Sequence, residues 1–222
     1  MFIFTGISEM NSMNKMKFYD VSLPIREGMI VYPGNPEPSI RRYSSIPRDT
    51  VNESLITFGS HTGTHVDSKL HIQNDADGVE DLPLDSFYGK CKVLDLTHVE
   101  KEIHREDLES YQIEKGDIVL LKTRNSKHGY RKFKSDYVHV KLDAAEYLVK
   151  AGVKTLGFDY LSIKKPGGDD EVHEVLINNL TLFEGLNLAE VPEGEYTFIG
   201  LPLRINCDGA PARVILVEDQ IG

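Results

Sequence analysis

Tryptophan is absent from this 222-residue sequence, cysteine occurs only twice, and no apolar run approaches the roughly 18–20 residues of a membrane-spanning helix. Each shortage closes off a class of protein. Cys91 and Cys207 lie too far apart in sequence to form the framework of a small secreted domain. Two reduced thiols in a cytoplasmic protein are expected instead. The opening Met1-Phe2-Ile3-Phe4 is apolar but too short for a signal-peptide core, and no positive charge precedes it. Basic residues number 25 against 35 acidic ones, for a net charge of -10. Such a surface repels phosphate backbones, so nucleic acid is not an expected partner, and neither is a membrane. No run of like charges reads as a tail, and no internal repeat is visible. There is no phosphate-binding loop, no dinucleotide fingerprint and no Gly-x-Ser-x-Gly elbow. Pro166-Gly167-Gly168-Asp169 reads as a loop without the flanking strand and helix that a nucleotide motif requires.

What is present is an ordinary globular composition, 40% hydrophobic and 27% charged, in a chain long enough for one core. Strand-like runs rich in Val, Ile, Leu and aromatics recur at 18–23, 55–58, 92–96, 118–122, 155–158, 196–199 and 213–217. Helix-like runs fall at 143–150, closed by Gly152, and at 105–111. Strands outnumber helices and the two interleave, which predicts a single α/β (α+β) domain with a mixed sheet. Its expected span is 17–222, behind an N-terminal extension at 1–16. Met10, Met13 and Met16 offer alternative starts, and Phe2, Ile3 and Phe4 suit a segment packed on a neighbouring subunit.

The chemistry concentrates in Gly59-Ser60-His61-Thr62-Gly63-Thr64-His65-Val66-Asp67-Ser68-Lys69-Leu70-His71. Three of the eight histidines fall within eleven residues here, with a carboxylate among them. Imidazole nitrogen and carboxylate oxygen suit zinc, manganese or iron. Fully extended, the four steps from His61 to His65 would span roughly 13 Å, too far for two imidazoles to share an ion comfortably. A bend at Gly63 would close that gap. A helical turn would also place the pair on one face, although Thr62, Gly63 and Thr64 disfavour a full helix. From His65 the chain can turn helical through His71. Without a metal, three buried imidazoles and an aspartate would each need partners, at about 1–3 kcal/mol for every one left unmet. His98, His104, His128 and His139 stand alone and read as surface or satisfied core residues.

The run His-Thr-Gly-Thr-His-Val-Asp, with a further histidine four residues on, resembles the signature of the bacterial-type kynurenine formamidase and cyclase family. That family includes metal-dependent arylformamidases and isatin hydrolases. The resemblance extends through Asp20-Val21-Ser22-Leu23-Pro24-Ile25, Tyr32-Pro33-Gly34-Asn35-Pro36, 118–126, Gly157-Phe158-Asp159-Tyr160-Leu161-Ser162-Ile163, Leu201-Pro202-Leu203 and Asp208-Gly209-Ala210-Pro211-Ala212-Arg213. It implies a barrel-like core with flanking helices. It also implies that His61, His65 and Asp67 hold one metal. In two-zinc members the aspartate bridges to a second ion, held also by residues matching His173 and Glu184. His71 matches the catalytic histidine. Read without the resemblance, His173 is an ordinary loop histidine and Glu184 a surface acid.

The implied activity is hydrolysis of N-formyl-L-kynurenine to kynurenine and formate by a metal-activated water, with His71 as base. One or two zinc ions are the expected cofactor, with manganese the other candidate. The expected partners are a small aryl amide and further copies of the chain in a homodimer or larger oligomer. Two departures bear on the substrate. Tyr32 and Asn35 stand where formamidases of the family often carry Trp and Asp, and any aromatic wall must come from Tyr, Phe or His. Lys122, Arg124 and Arg204 are candidate cations for the kynurenine carboxylate. An isatin hydrolase-like cyclic amide hydrolase, and a non-catalytic metal- or small-ligand-binding protein of the same fold, are the alternatives.

Overall fold

The computed structural model describes residues 16–168 and 170–218. The segment expected to pack on a neighbour lies outside them, as does the side chain of His128. In chain order the strands and helices begin with β1 (Lys17–Asp20), β2 (Ser39–Ser44), β3 (Glu53–Thr57), β4 (His65–Asp67), β5 (Tyr88–Asp95) and β6 (Glu102–Ile103). There follow α1 (Arg105–Leu108), β7 (Ile118–Lys122), β8 (His139–Val140), α2 (Leu142–Ala151) and β9 (Thr155–Phe158). The chain closes with α3 (Glu171–Asn179), β10 (Thr181–Glu184), β11 (Gly194–Pro202) and β12 (Gly209–Glu218).

One eight-stranded mixed sheet runs in the order β1-β12-β11-β5-β7-β9-β10-β4, and β12 also pairs with β4. That extra pairing closes seven strands into a barrel. The strands β5, β7, β9 and β10 are parallel neighbours, whereas β10, β4, β12, β11 and β5 meet antiparallel. Both edges of the closure depend on the short β4, which takes β10 on one side and the start of β12 on the other.

Alternation along each strand divides the apolar side chains into two cores. Ile118 and Leu120 of β7 join Val93, Phe183, Val66, Phe198, Ala210 and Val214 in the lumen. Val119 and Leu121 face the other way, onto Leu148 of α2 and Leu176 of α3. Each fully buried Leu, Ile, Val or Phe contributes about 1.5–3 kcal/mol, so both cores stabilise the closed barrel. Gly152 ends α2 in the left-handed conformation, with φ of 80°.

Several expected boundaries differ. The run expected to be helical over 105–111 forms only the four residues of α1. His65 does not begin a helix: His65–Asp67 is a strand, followed by a single 3-10 turn at Lys69–His71. The loop at 166–169 leads into α3, so His173 is a helical and not a loop residue. No helix among the described residues is long and apolar enough to cross a membrane.

Candidate metal centre

Val66 points into the lumen, so the period of two turns His65 and Asp67 to the outer face of the barrel. On β10, Phe183 points inward and Glu184 outward. The antiparallel register sets Glu184 directly opposite His65, and Leu182 opposite Asp67. Two short strands thus place three ligand-type side chains on one surface. Helix α3 then covers that surface, bringing the buried His173 to 3.1 Å from Glu184 Oε1. Glu184 Oε1 also accepts the Ile163 N–H at 2.7 Å, which fixes the carboxylate from the loop after β9.

The bend before β4 comes from Gly63, whose φ is +68°. It brings the His61 and His65 rings to 4.9 Å between centroids, nearly perpendicular. The carbonyl of Gly63 lies 2.9 Å from His65 Nδ1. A carbonyl only accepts, so Nδ1 donates to it, and Nε2 faces Asp67 Oδ1 at 3.4 Å and Glu184 Oε2 at 3.8 Å. Thr64 acts on the backbone and not on a ligand: its hydroxyl donates to the Gly185 carbonyl at 2.5 Å and accepts the Leu23 N–H at 2.8 Å.

His61 lies between two carboxylates, with Nδ1 2.9 Å from Asp67 Oδ1 and Nε2 2.7 Å from Asp208 Oδ2. Burial disfavours its charge, but the two acids outweigh burial and lift its pKa to about 9. Burial likewise opposes ionisation of Asp67, yet hydrogen bonds from His61 and His65 hold it well below the carboxylate range. Asp208 drops to about 2: desolvation opposes the shift, but the Cys207 thiol and His61 dominate together. His173 is raised, because Glu184 overcomes the effect of burial. His71 moves the other way: burial lowers its pKa, only partly offset by Asp67, and His61 and His173 lower it further.

Two groups of ligand atoms lie close enough together to share an ion: His61, Asp67 and His71, and His65, Asp67 and Glu184. Asp67 belongs to both, which suits a bridging carboxylate. Its Oδ2 is buried with no hydrogen-bond partner among the described residues, which leaves that oxygen able to serve a divalent cation. The donors therefore fit a metal. The grouping differs from the expected partition, since the strand register pairs His65 with Glu184, and His71 stands within ligand reach of His61. Asp208 was not singled out in the sequence as part of this cluster. Its signal is the Asp-Gly step that opens β12, opposite β4.

The cluster opens into a cavity of about 410 Å³, lined beyond the histidines by Tyr32, Asn35, Ile72, Leu161, Ser162 and Lys164, with Asp170 and Glu174. That size suits one small ligand. Tyr32 and Asn35, from the Tyr-Pro-Gly-Asn loop, both face it. None of the expected cations does. Lys122 is buried and donates to the Val191 carbonyl at 2.6 Å, and Arg204 lines a separate apolar groove with Leu82 and Leu201. Arg124 is not among the lining residues. His98 is exposed, His104 half-buried and His139 buried, and none of them lines the cavity.

A closed mixed barrel whose cleft offers a divalent cation two groups of imidazole and carboxylate ligands narrows the identity considerably. The "Putative cyclase" family model matches residues 19–165, and the chain belongs to that family. Kynurenine formamidase of Bacillus cereus is 30% identical over 210 residues, covering 92% of this chain and 99% of its own. The "predicted metal-dependent hydrolase" structure from Bacillus stearothermophilus is 38% identical with a TM-score of 0.81, covering 91% of this chain and 98% of its own. An isatin hydrolase bound to the product analogue thioisatinate shares the fold at 17% identity and a TM-score of 0.80, covering 92% and 93% of the two chains.

Proposed function

We propose that this chain is a metal-dependent amide hydrolase acting on N-formyl-L-kynurenine, releasing formate and kynurenine. The observation that carries the reading is the pair of imidazole and carboxylate groups that share the buried Asp67, beside a ligand-sized cavity lined by His61, His65, His71, His173 and Glu184. Its 30% identity to a kynurenine formamidase over nearly the whole chain supports the substrate. His61, His65, Asp67, His173 and Glu184 would hold one or two ions, and their nitrogen and oxygen donors suit zinc, with manganese as the second candidate. When bound, such an ion lowers the pKa of a water and polarises a carbonyl.

The side chains account for the rest. His71, whose pKa burial lowers, is neutral near pH 7 and can accept the proton of the attacking water. It can return that proton to the anilinic nitrogen as the formyl C–N bond breaks. Tyr32, Ile72 and Leu161 supply an apolar wall for the aryl ring. Tyr32 and Asn35 in place of Trp and Asp give a specific reason to keep isatin, a cyclic aryl amide, as a second substrate. The test is metal analysis of protein purified without chelator, with both substrates assayed at matched metal loading. Metal-dependent release of kynurenine is expected. A fully active metal-free protein refutes the reading, and turnover of isatin alone reassigns the substrate.

A further inference from the structure

The cavity has two chemically different regions. Its floor is buried and holds His65, His173 and Glu184. Its rim is more exposed and holds Lys164, Asp170 and Glu174. Lys164 is anchored through its own backbone: the Tyr137 hydroxyl donates to its carbonyl, and the preceding Ile163 N–H is bound by Glu184. Its side chain is 21% exposed and its ammonium pairs with Asp170. Asp170 precedes the first residue of α3, and Glu174 N–H donates to the Asp170 carbonyl at 2.9 Å, so the two acids stand one turn apart. Apart from the histidines, Lys164 is the one cation among the described residues that line the cavity.

As an isolated surface pair, Lys164 with Asp170 would contribute little to stability and would need no function. Its place on the rim gives it one. A neutral aryl amide would leave all three charges without a role. A ligand with a single carboxylate would meet Lys164 but face two acids. A ligand with one carboxylate and one ammonium matches the set, one positive and two negative groups around one mouth.

We propose that Lys164, Asp170 and Glu174 form a subsite for a zwitterionic α-amino-acid tail. The tail's carboxylate takes Lys164 from Asp170, and its ammonium lies between Asp170 and Glu174. The inference rests on the hydrolase reading for the reacting end of the ligand. It narrows the substrate class to aryl amides that carry a free amino-acid group.

The test compares N-formyl-L-kynurenine with 2-formamidoacetophenone, which keeps the aryl formamide and ketone but lacks the amino-acid tail. Lys164→Met retains the apolar stem and removes the charge. The ratio of kcat/KM between the two substrates should fall about 10–100-fold in this variant, through KM and not kcat, as expected for loss of a charge-assisted contact made equally in ground and transition states. Glu174→Gln should shift the ratio in the same direction. An unchanged ratio in Lys164→Met overturns the proposal. If neither substrate is turned over, the formamidase reading fails, and calorimetry with L-kynurenine and 2-aminoacetophenone decides the subsite alone. Selective loss of L-kynurenine binding in Lys164→Met then supports it. Equal binding by both proteins, or no binding to the wild type, overturns it.

Discussion

Gly185→Ala tests how the barrel backbone controls the metal centre without touching a ligand. Gly185 follows β10 with φ of +71°, and a Cβ there would lie 2.3 Å from the Gly63 carbonyl oxygen and 3.2 Å from Thr64 Cα. Both obstacles are backbone, so no rotamer change relieves them. A left-handed non-glycine residue costs about 1–2 kcal/mol, and overpacking of this kind typically adds 1–3, which together predict about 2–5 kcal/mol of lost stability. The displaced carbonyl is also the acceptor that fixes the His65 tautomer, so metal affinity should fall about 10–100-fold, as when other outer partners of ligating histidines are removed. Gly116→Ala is the control, because Gly116 has φ of +89° but nothing within 4 Å of the added atom. Urea denaturation of the metal-free proteins gives the first quantity, and calorimetric titration with zinc or manganese gives the second. If Gly185→Ala is no less stable than Gly116→Ala, or binds metal as tightly as wild type, the backbone argument is wrong.

Three further outcomes are expected. His71→Ala should retain metal and lose about 10²–10⁴-fold in turnover, whereas His61→Ala should lose both; equal metal loss in the two variants, read by elemental analysis, would make His71 a ligand. Asp159 is fully buried, and burial lifts its pKa to about 7 against four hydrogen bonds from Thr123 and Ser126. A pKa raised on folding gives stability that is complete below about pH 4 and fades as pH rises toward 7. The Asp159 contribution is then of the order of 4 kcal/mol, at about 1.4 kcal/mol per unit, and Asp159→Asn should flatten that part of a pH–stability curve. A curve of unchanged slope refutes the assignment. Finally, the β2–β3 ribbon exposes Leu55 and Ile56, neighbours on opposite faces, at 50% and 53%. A two-stranded ribbon is marginal alone, so a second copy is expected to cover it. Light scattering should give twice the 25.0 kDa of one chain, and a monomer at micromolar concentration would exclude this.

How far the sequence could be read depended on whether the deciding neighbours were local. β7 and β9 were readable to the residue: Ile118-Val119-Leu120-Leu121 follows Gly116-Asp117 as an unbroken apolar run, and Thr155–Phe158 is stopped by Asp159. Gly152 marked the end of α2 for the same kind of local reason. β4 and β10, three and four residues long, escaped notice, since their pairing is set by barrel closure and not by pattern. α3 was hidden by its weak signals: Asp170 makes no side-chain cap, and the helix ends on Asn178-Asn179. With it went the helical setting of His173. The cluster of His61, His65, Asp67 and His71 was visible as one short run of the sequence, but which of them come within reach of a common ion was not. His173 and Glu184 came only through family resemblance, because their proximity depends on register with β4. Asp208 gave only the hint of Gly209, where a Cβ would sit 2.7 Å from the His61 ring.

The closure of the barrel by β4 also sets when the centre can come into being. Asp67 and Glu184 are neighbours only after β10 has paired with β4, a contact between segments more than a hundred residues apart in the chain. Pairings of such long range form late, after their loop-closure entropy has been met by nearer contacts. The emerging polypeptide on a ribosome therefore carries His61, His65 and Asp67 for most of its synthesis with no complete binding site. On the proposed metal reading, an ion that these residues met early would be held weakly and would be free to leave. Metal choice would then fall to the finished barrel, where the spacing fixed by two short strands, and not the order of encounter, would select the ion.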